Sequence, residues 1–389
     1  MRFRHPDGST VHLAYCTNVH PAETLDGVLA QLRDHCEPVR RLLGTERLGV
    51  GLWLARDVAR VLATEPSALR RLRTELDRRG LEVVTLNGFP YEGFGAEEVK
   101  YRVYTPDWTT VERLEYTSDL ARVLARLLPA DVTDGTISTL PLGWRTGFGP
   151  AALRQSHRAL AELAGRLDRL EAETGRSIRL ALEPEPGCAV ETTSDAVAQL
   201  TALPGRRIGL CLDTCHLATS FEEPAVALAA LRDAGIGIPK VQLSAALHAE
   251  NPLDPAVRSA LAAFDEPRFL HQTRARADET LYATDDLGPA LTGDTLPQTV
   301  PWRAHFHVPL HAPPAPPLSS TLDVLARTLA VLVGGAEARC HHFEVETYTW
   351  QALPSADRPA DDAQLADGIA AELALARDLL TGIGLKELP

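Results

Sequence analysis

The sequence predicts a single parallel (β/α)8 barrel, on three observations. Short apolar runs alternate with longer amphipathic stretches along all 389 residues, the pattern of parallel strands joined by crossover helices. Eight such runs can be counted, the number that closes a parallel barrel. No glycine-rich turn follows the first of them, where an open doubly wound sheet often holds a dinucleotide.

Taken in order, the strand-like runs are 12–16, 48–52, 82–86, 136–140, 178–182, 208–212, 240–243 and 343–346. Helical spacing of apolar residues fills the gaps at 22–43, 57–79, 109–128, 151–174, 193–202, 224–234 and 321–335, and a closing helix is expected over 361–382. Two stretches break the alternation. The loop 87–108, after the third run, is rich in Gly, Tyr, Phe and Pro. After the seventh run comes a long excursion, 244–300, leading to a ninth strand-like run at 302–308 and a proline-rich linker at 311–318. Structureless loops of that length inside a compact domain are uncommon unless functional, so 244–318 reads as a lid-like insertion in a domain spanning 1–389. In a barrel both stretches fall on the C-terminal face, where active sites are built.

Composition narrows the function. The chain carries 39 Lys+Arg against 52 Asp+Glu, a formal charge of −13, whereas nucleic-acid binders present a basic face. The one arginine cluster, Arg70, Arg71 and Arg73, is interleaved with Glu75 and Asp77 and reads as a solvated helix face. No run of 18 apolar residues exists to span a membrane, and the opening MRFRHPDGST lacks the apolar stretch of a signal peptide. The six cysteines, at 16, 36, 188, 211, 215 and 340, form no compact disulfide framework. A cytoplasmic protein acting on a small molecule, with oligomerisation open, is the expectation.

Three strands end in acids. Glu183 closes an apolar run in Leu-Glu-Pro-Glu-Pro-Gly, Asp213 closes the next with His216 three residues on, and Glu346 closes the last, on the same strand face as Glu344. Two have ordinary explanations, Glu183 exposed or paired with an arginine and Asp213 capping the following helix, while Glu344 is expected either to support the site behind Glu346 or to face the barrel interior paired with an arginine. Together they are harder to explain, because carboxylates packed together repel and need a cation to stay ionised. Oxygen-rich ligation with a histidine suits Mn²⁺, Mg²⁺, Co²⁺, Fe²⁺ or Zn²⁺.

The segment Leu-Cys-Leu-Asp213-Thr-Cys-His216 resembles the Asp-Thr-x-His motif of the xylose-isomerase-like barrels, the superfamily that includes endonuclease IV. Glu183 matches that superfamily's fifth-strand metal ligand, and Glu346-Thr347 its eighth-strand ligand. The resemblance implies a divalent-metal centre of Glu183, Asp213 and Glu346. Where the superfamily usually supplies a seventh-strand histidine, this chain has Gln242 or Ser244, so Gln242, or His305 or His307 from the extra strand, would complete the shell. Endonuclease IV's additional zinc histidines have no counterparts, Asn87 standing near one such position, so one metal, or at most two, is expected. Finer segments, including 85–91, 103–108, 240–246, 305–309 and 344–350, look most like the EboE family of bacterial "metabolite traffic" proteins.

The implied chemistry is isomerisation or epimerisation of a sugar, sugar phosphate or cyclitol through an enediolate. Glu183 and Glu346 would move the proton, Asp213 would complete the metal shell and His216 would orient a hydroxyl. His20, Asn87, Phe89, Tyr91, Trp108, His305 and Trp350 are the expected substrate contacts. A non-catalytic metabolite carrier and a metal-assisted phosphoester hydrolase are the alternatives, with DNA cleavage disfavoured by charge.

Overall fold

A computed structural model describes residues 1–389 and shows a closed barrel. Its strands are β1 Thr10–Cys16, β2 Leu48–Trp53, β3 in two pieces (Leu81–Glu82 and Thr85–Asn87), β4 Asp134–Thr139, β5 Ser177–Leu182, β6 Ile208–Asp213, β7 Lys240–Leu243 and β8 His342–Val345. Each pairs in parallel with the next, and β8 pairs in parallel with β1, leaving no edge. Helices ring the outside, burying one apolar face each; in Val111–Leu127, for example, Leu114, Leu120, Val123 and Leu124 face inward.

The expected helix over 57–79 is two helices, Arg56–Thr64 and Pro66–Arg78. Glu65 between them is extended (φ −110°, ψ 102°) because the ring of Pro66 disfavours a helical residue before it. A short strand, Arg2–Arg4, pairs antiparallel with β1 on one side and with Lys386–Leu388 on the other, joining the two ends of the chain beside the barrel.

The excursion after β7 is a structured layer. Strands Leu247–Ala249, Thr273–Ala277, Thr280–Thr284, Trp302–Ala304 and Ser319–Ser320 make a five-stranded antiparallel sheet, with helices at Pro255–Ala262 and Leu287–Thr292. The ninth run expected over 302–308 is regular only to Ala304. This layer docks on the 87–108 loop: the Val99 and Lys100 amides donate to the Arg268 carbonyl, Arg268 donates to that of Phe94, and Lys100 Nζ lies 2.5 Å from Asp286. The two irregular stretches thus roof the C-terminal face together.

Inside the barrel, Lys240 of β7 meets Glu344 of β8 at 3.0 Å, both fully buried. The partner of Glu344 is therefore a lysine and not the arginine that was expected. Lys240 also donates to Ser138 Oγ at 3.2 Å. Gly51 of β2 makes room for the pair: a Cβ there would lie 1.4 Å from Glu344 Oε2.

Candidate active site

Glu183 stands immediately after β5, and Pro184 behind it stops the strand from continuing its ladder. Its Oε2 is buried without a partner. Asp213 is the last residue of β6 and the N-cap of the helix Thr214–Thr219: its Oδ1 accepts from the His216 amide at 2.9 Å and from Ser244 Oγ at 2.7 Å. Its Oδ2 is buried and unpartnered. Glu346 follows β8, and its Oε1 accepts from both Asn18 and Asn87 at 2.7 Å. An oxygen from each of Glu183, Asp213 and Glu346 lies within 4.8 Å of the others.

Burial pushes the Glu183 carboxyl well above its ordinary range, and the charges of Glu346 and Asp213 push it further. Burial and Asp213 raise Glu346 likewise, while Lys240 pulls both down. Three carboxyls this close cannot all ionise unless positive charge joins them. The donor set and the two orphaned oxygens fit a hard divalent cation. Gln242, two residues along β7 from Lys240 and so on the same inward face, is fully buried with neither amide atom partnered.

Beside the acids lie His216, His305 and His307, all buried. Nε2 of His305 is 3.0 Å from that of His216 and 3.2 Å from that of His307. Burial lowers the pKa of all three, that of His216 to about 4, so they are neutral at pH 7. Glu185, two residues past Glu183, accepts from Tyr104 Oη at 2.7 Å and Gln272 Nε2 at 3.2 Å, and burial pushes it up to about 8.

Several of these groups floor one narrow pocket at the mouth of the barrel. Glu183, Glu346, His216, His305, His307 and Asn87 line it, as do Phe89, Phe94, Tyr104, Phe269 and Tyr348 on the walls. Asp213 and Gln242 are not part of its lining. The other expected contacts lie elsewhere. Trp108 is fully buried and donates to Thr139, and Trp350 donates to Glu372 at 3.1 Å in the closing helix. Tyr91 packs on Tyr116, and His20 stacks on His35 at 4.0 Å. Asn18, Lys100, Tyr348 and the excursion's Phe269 were not foreseen. Asn18, two residues beyond β1, had a legible position in any barrel reading; Phe269, deep in the insertion, had none. All six cysteines are buried free thiols, and burial raises Cys188, Cys211 and Cys215. No helix is long and apolar enough to cross a membrane.

Among solved structures, the chain resembles a candidate sugar phosphate isomerase/epimerase from Anabaena variabilis ATCC 29413 (14% identity, 97% of this chain and 100% of that one, TM-score 0.51). It also resembles a D-tagatose 3-epimerase-like protein (12% identity, 95% and 98%, TM-score 0.49) and an L-ribulose 3-epimerase (14% identity, 97% and 100%, TM-score 0.49). At these identities the likeness is one of fold. No curated protein matches significantly in sequence. The xylose isomerase-like TIM-barrel family matches residues 48–255, from β2 past β7 and more than half of the chain. With its closed parallel barrel, the chain belongs to the xylose isomerase-like TIM-barrel family.

Proposed function

We propose that this protein is a metal-dependent isomerase or epimerase of a small polyhydroxylated metabolite, a sugar, sugar phosphate or cyclitol, working by proton transfer through an enediolate. The observation that carries this is the convergence of Glu183, Asp213 and Glu346 at the C-terminal end of the barrel, at the pocket that Glu183 and Glu346 line. A divalent cation held by Glu183, Asp213 and Glu346 would supply Lewis acidity toward a carbonyl and its neighbouring hydroxyl, making the hydrogen on the hydroxyl-bearing carbon more acidic.

The chain's own residues supply the rest. Glu183, through the carboxylate oxygen that does not face the cation, takes the proton from the substrate carbon. Glu346, reaching in from a different strand and held at Oε1 by Asn18 and Asn87, returns it to the other face. Neutral His216 orients a substrate hydroxyl. Phe89, Phe94, Phe269 and Tyr348 cover apolar faces and exclude water. The excursion 244–318 acts as a fixed roof on one domain. The finer resemblance of the motifs to the EboE family agrees with a small-metabolite role.

Incubation with ketoses and inososes in deuterated water tests the reading. Wild-type protein loaded with Mn²⁺ or Mg²⁺ is expected to wash deuterium into one carbon of a substrate in the panel. Glu183→Gln and Glu346→Gln should each lower that exchange at least ~100-fold, the scale of a lost general acid–base group. Undiminished exchange in both variants would refute the assignment.

A further inference from the structure

The pocket changes character between its depth and its mouth, and the change bears on what the substrate carries besides hydroxyls. At its depth stand Glu183, Glu346, His216, His305 and His307. Toward the mouth the lining comes from the two stretches that roof the barrel: Phe94, Val99 and Val103 of the 87–108 loop, and Phe269 and Leu270 of the excursion. Tyr348 marks the boundary. Its hydroxyl lies 3.3 Å from His305 Nε2, while its ring meets Phe269 at 4.9 Å and Phe94 at 5.6 Å between centroids. Phe94 and Phe269 meet each other at 5.5 Å, so the three rings close into one apolar collar.

A hydroxyl placed in that collar would leave water without gaining a partner, because the backbone there is already committed. The Val99 and Lys100 amides donate to the Arg268 carbonyl, that of Phe89 to Asn87 Oδ1 and that of Phe269 to Glu266 Oε1. An anionic group fares worse. No arginine lines the pocket, and Lys100 is its one cationic side chain. Lys100 Nζ is held 2.5 Å from Asp286 Oδ2, and the His271 and Leu287 amides fix Asp286 in turn by donating to its other oxygen. The helix that starts at Thr214 offers no anion cradle, since its His216 amide donates to Asp213 and its Cys215 amide to Ser244 Oγ. Three carboxyl groups, of Glu183, Glu185 and Glu346, face the same space, and any negative charge they carry opposes another.

We infer that the substrate is an uncharged, amphipathic molecule: a polyhydroxylated ring or chain that carries an alkyl or aryl substituent and no phosphate. Its hydroxyl-bearing end lies over the acids, and its apolar substituent fills the collar. Burial there is worth roughly fourfold in affinity per methylene. This narrows the substrate class of the isomerase reading and rests on that reading for the hydroxyl-bearing end, whereas the preference of the collar is read by binding alone. The excursion is then more than a roof, since Phe269 and Leu270 select the far end of the substrate.

The test compares each ketose and inosose of the panel in four forms: unmodified, O-methyl, O-butyl and O-phosphorylated, substituted at the hydroxyl farthest from the carbonyl. Calorimetry reads binding to the Mg²⁺-loaded full chain, and deuterium wash-in is followed on the same samples. For at least one parent compound, the O-butyl form should bind at least ~10-fold tighter than the O-methyl form, three added methylenes being worth up to roughly 60-fold. The phosphorylated form of that compound should bind more weakly than the unmodified one. Leu270→Arg, which places a cation at the collar, should erase the butyl preference and favour the phosphorylated form. Equal binding and exchange across all four forms would keep the isomerase reading and overturn this one. Tight butyl binding without exchange would uphold the collar and sink the isomerase reading. In the wild type alone, no gain from methyl to butyl, or phosphorylated forms bound as tightly as unmodified ones, would overturn the proposal whether or not the variant folds.

Discussion

Replacing Lys240 by Met gives the sharpest test of how the barrel interior supports the site. Lys240 and Glu344 are each fully buried, with Lys240 Nζ 3.0 Å from Glu344 Oε1, and Glu344 Oε2 has no partner. Removing the ammonium leaves a carboxylate in the barrel centre without its cation, a loss of about 3–5 kcal/mol for a broken buried pair. An unfolding entropy of about 2.1 cal/mol/K per residue gives a chain of this length about 0.8 kcal/mol/K, so Tm should fall by about 4–6 °C. Lys240→Met/Glu344→Leu removes both charges and should recover most of that loss, the signature of coupling between the two residues. The same change acts on the site above, because Lys240 is the cation that draws Glu183 and Glu346 toward ionisation. Metal affinity should therefore weaken in Lys240→Met and recover toward the wild type in the double variant, because Glu344, removed with Lys240, pushes Glu346 the other way. Scanning calorimetry and metal titration read the two effects separately. A single variant within 1 °C of the wild type, or a double variant no more stable than the single, would refute the argument.

Divalent metal at 100 times its dissociation constant should stabilise the stripped protein by about 2.7 kcal/mol, roughly 3 °C on the same scale; an unchanged Tm would argue against a folded-state metal site. Gly51→Ala places a Cβ 1.4 Å from Glu344 Oε2, so a loss of at least about 1–3 kcal/mol is expected in urea melts, with near-neutrality the contrary result. Glu372, buried in the closing helix, accepts from Thr347 Oγ1, the Leu310 amide and Trp350 Nε1, yet burial pushes it up to about 7. Its folded pKa lies above the ordinary 4.5, so its contribution is fully present below about pH 4.5 and is lost as pH rises through about 7. Glu372→Gln should flatten the pH dependence of stability across that window, measured as urea midpoints, and an unchanged slope would count against the assignment.

The barrel was legible because its signal is local. Each strand is a short apolar run, each helix carries its own period, and the acids stand at the ends of runs. What escaped depends on contacts between residues far apart in the chain. His305 meets His216 across 89 positions and Gln272 across 33, and nothing in His-Phe-His alone tells a ligand from a satisfied core residue. Strand β7 is only Lys-Val-Gln-Leu, too short for alternation to declare that Lys240 and Gln242 face the barrel interior. The expected arginine for Glu344 was wrong for the same reason: only the β7–β8 register, which sets Glu344 opposite Gln242, brings Lys240 within reach. Aromatic residues were misassigned more often than acids, since burying a tryptophan in the roof or the core needs no ligand. Trp108 and Trp350 did just that.

Asp213 shows why an ordinary structural explanation and a functional one need not compete. Its Oδ1 does what a helix cap does, accepting the His216 amide, and Ser244 Oγ holds that oxygen from a second side. A cap requires only one oxygen, and a cap at a surface helix would leave the other to water. Here the second oxygen is buried between the acids and the histidines with nothing to accept from. The cap therefore serves the site: it fixes the carboxylate's rotation, so that Oδ2 points where a cation would sit. Asp213→Asn separates the two duties. The amide oxygen can still cap the helix, so the fold should survive, while the –NH₂ group replaces the unshared pairs of Oδ2 with donors. Metal binding should fall sharply with little change in Tm of the stripped protein. A large drop in Tm with metal uptake intact would mean that the cap alone explains the residue.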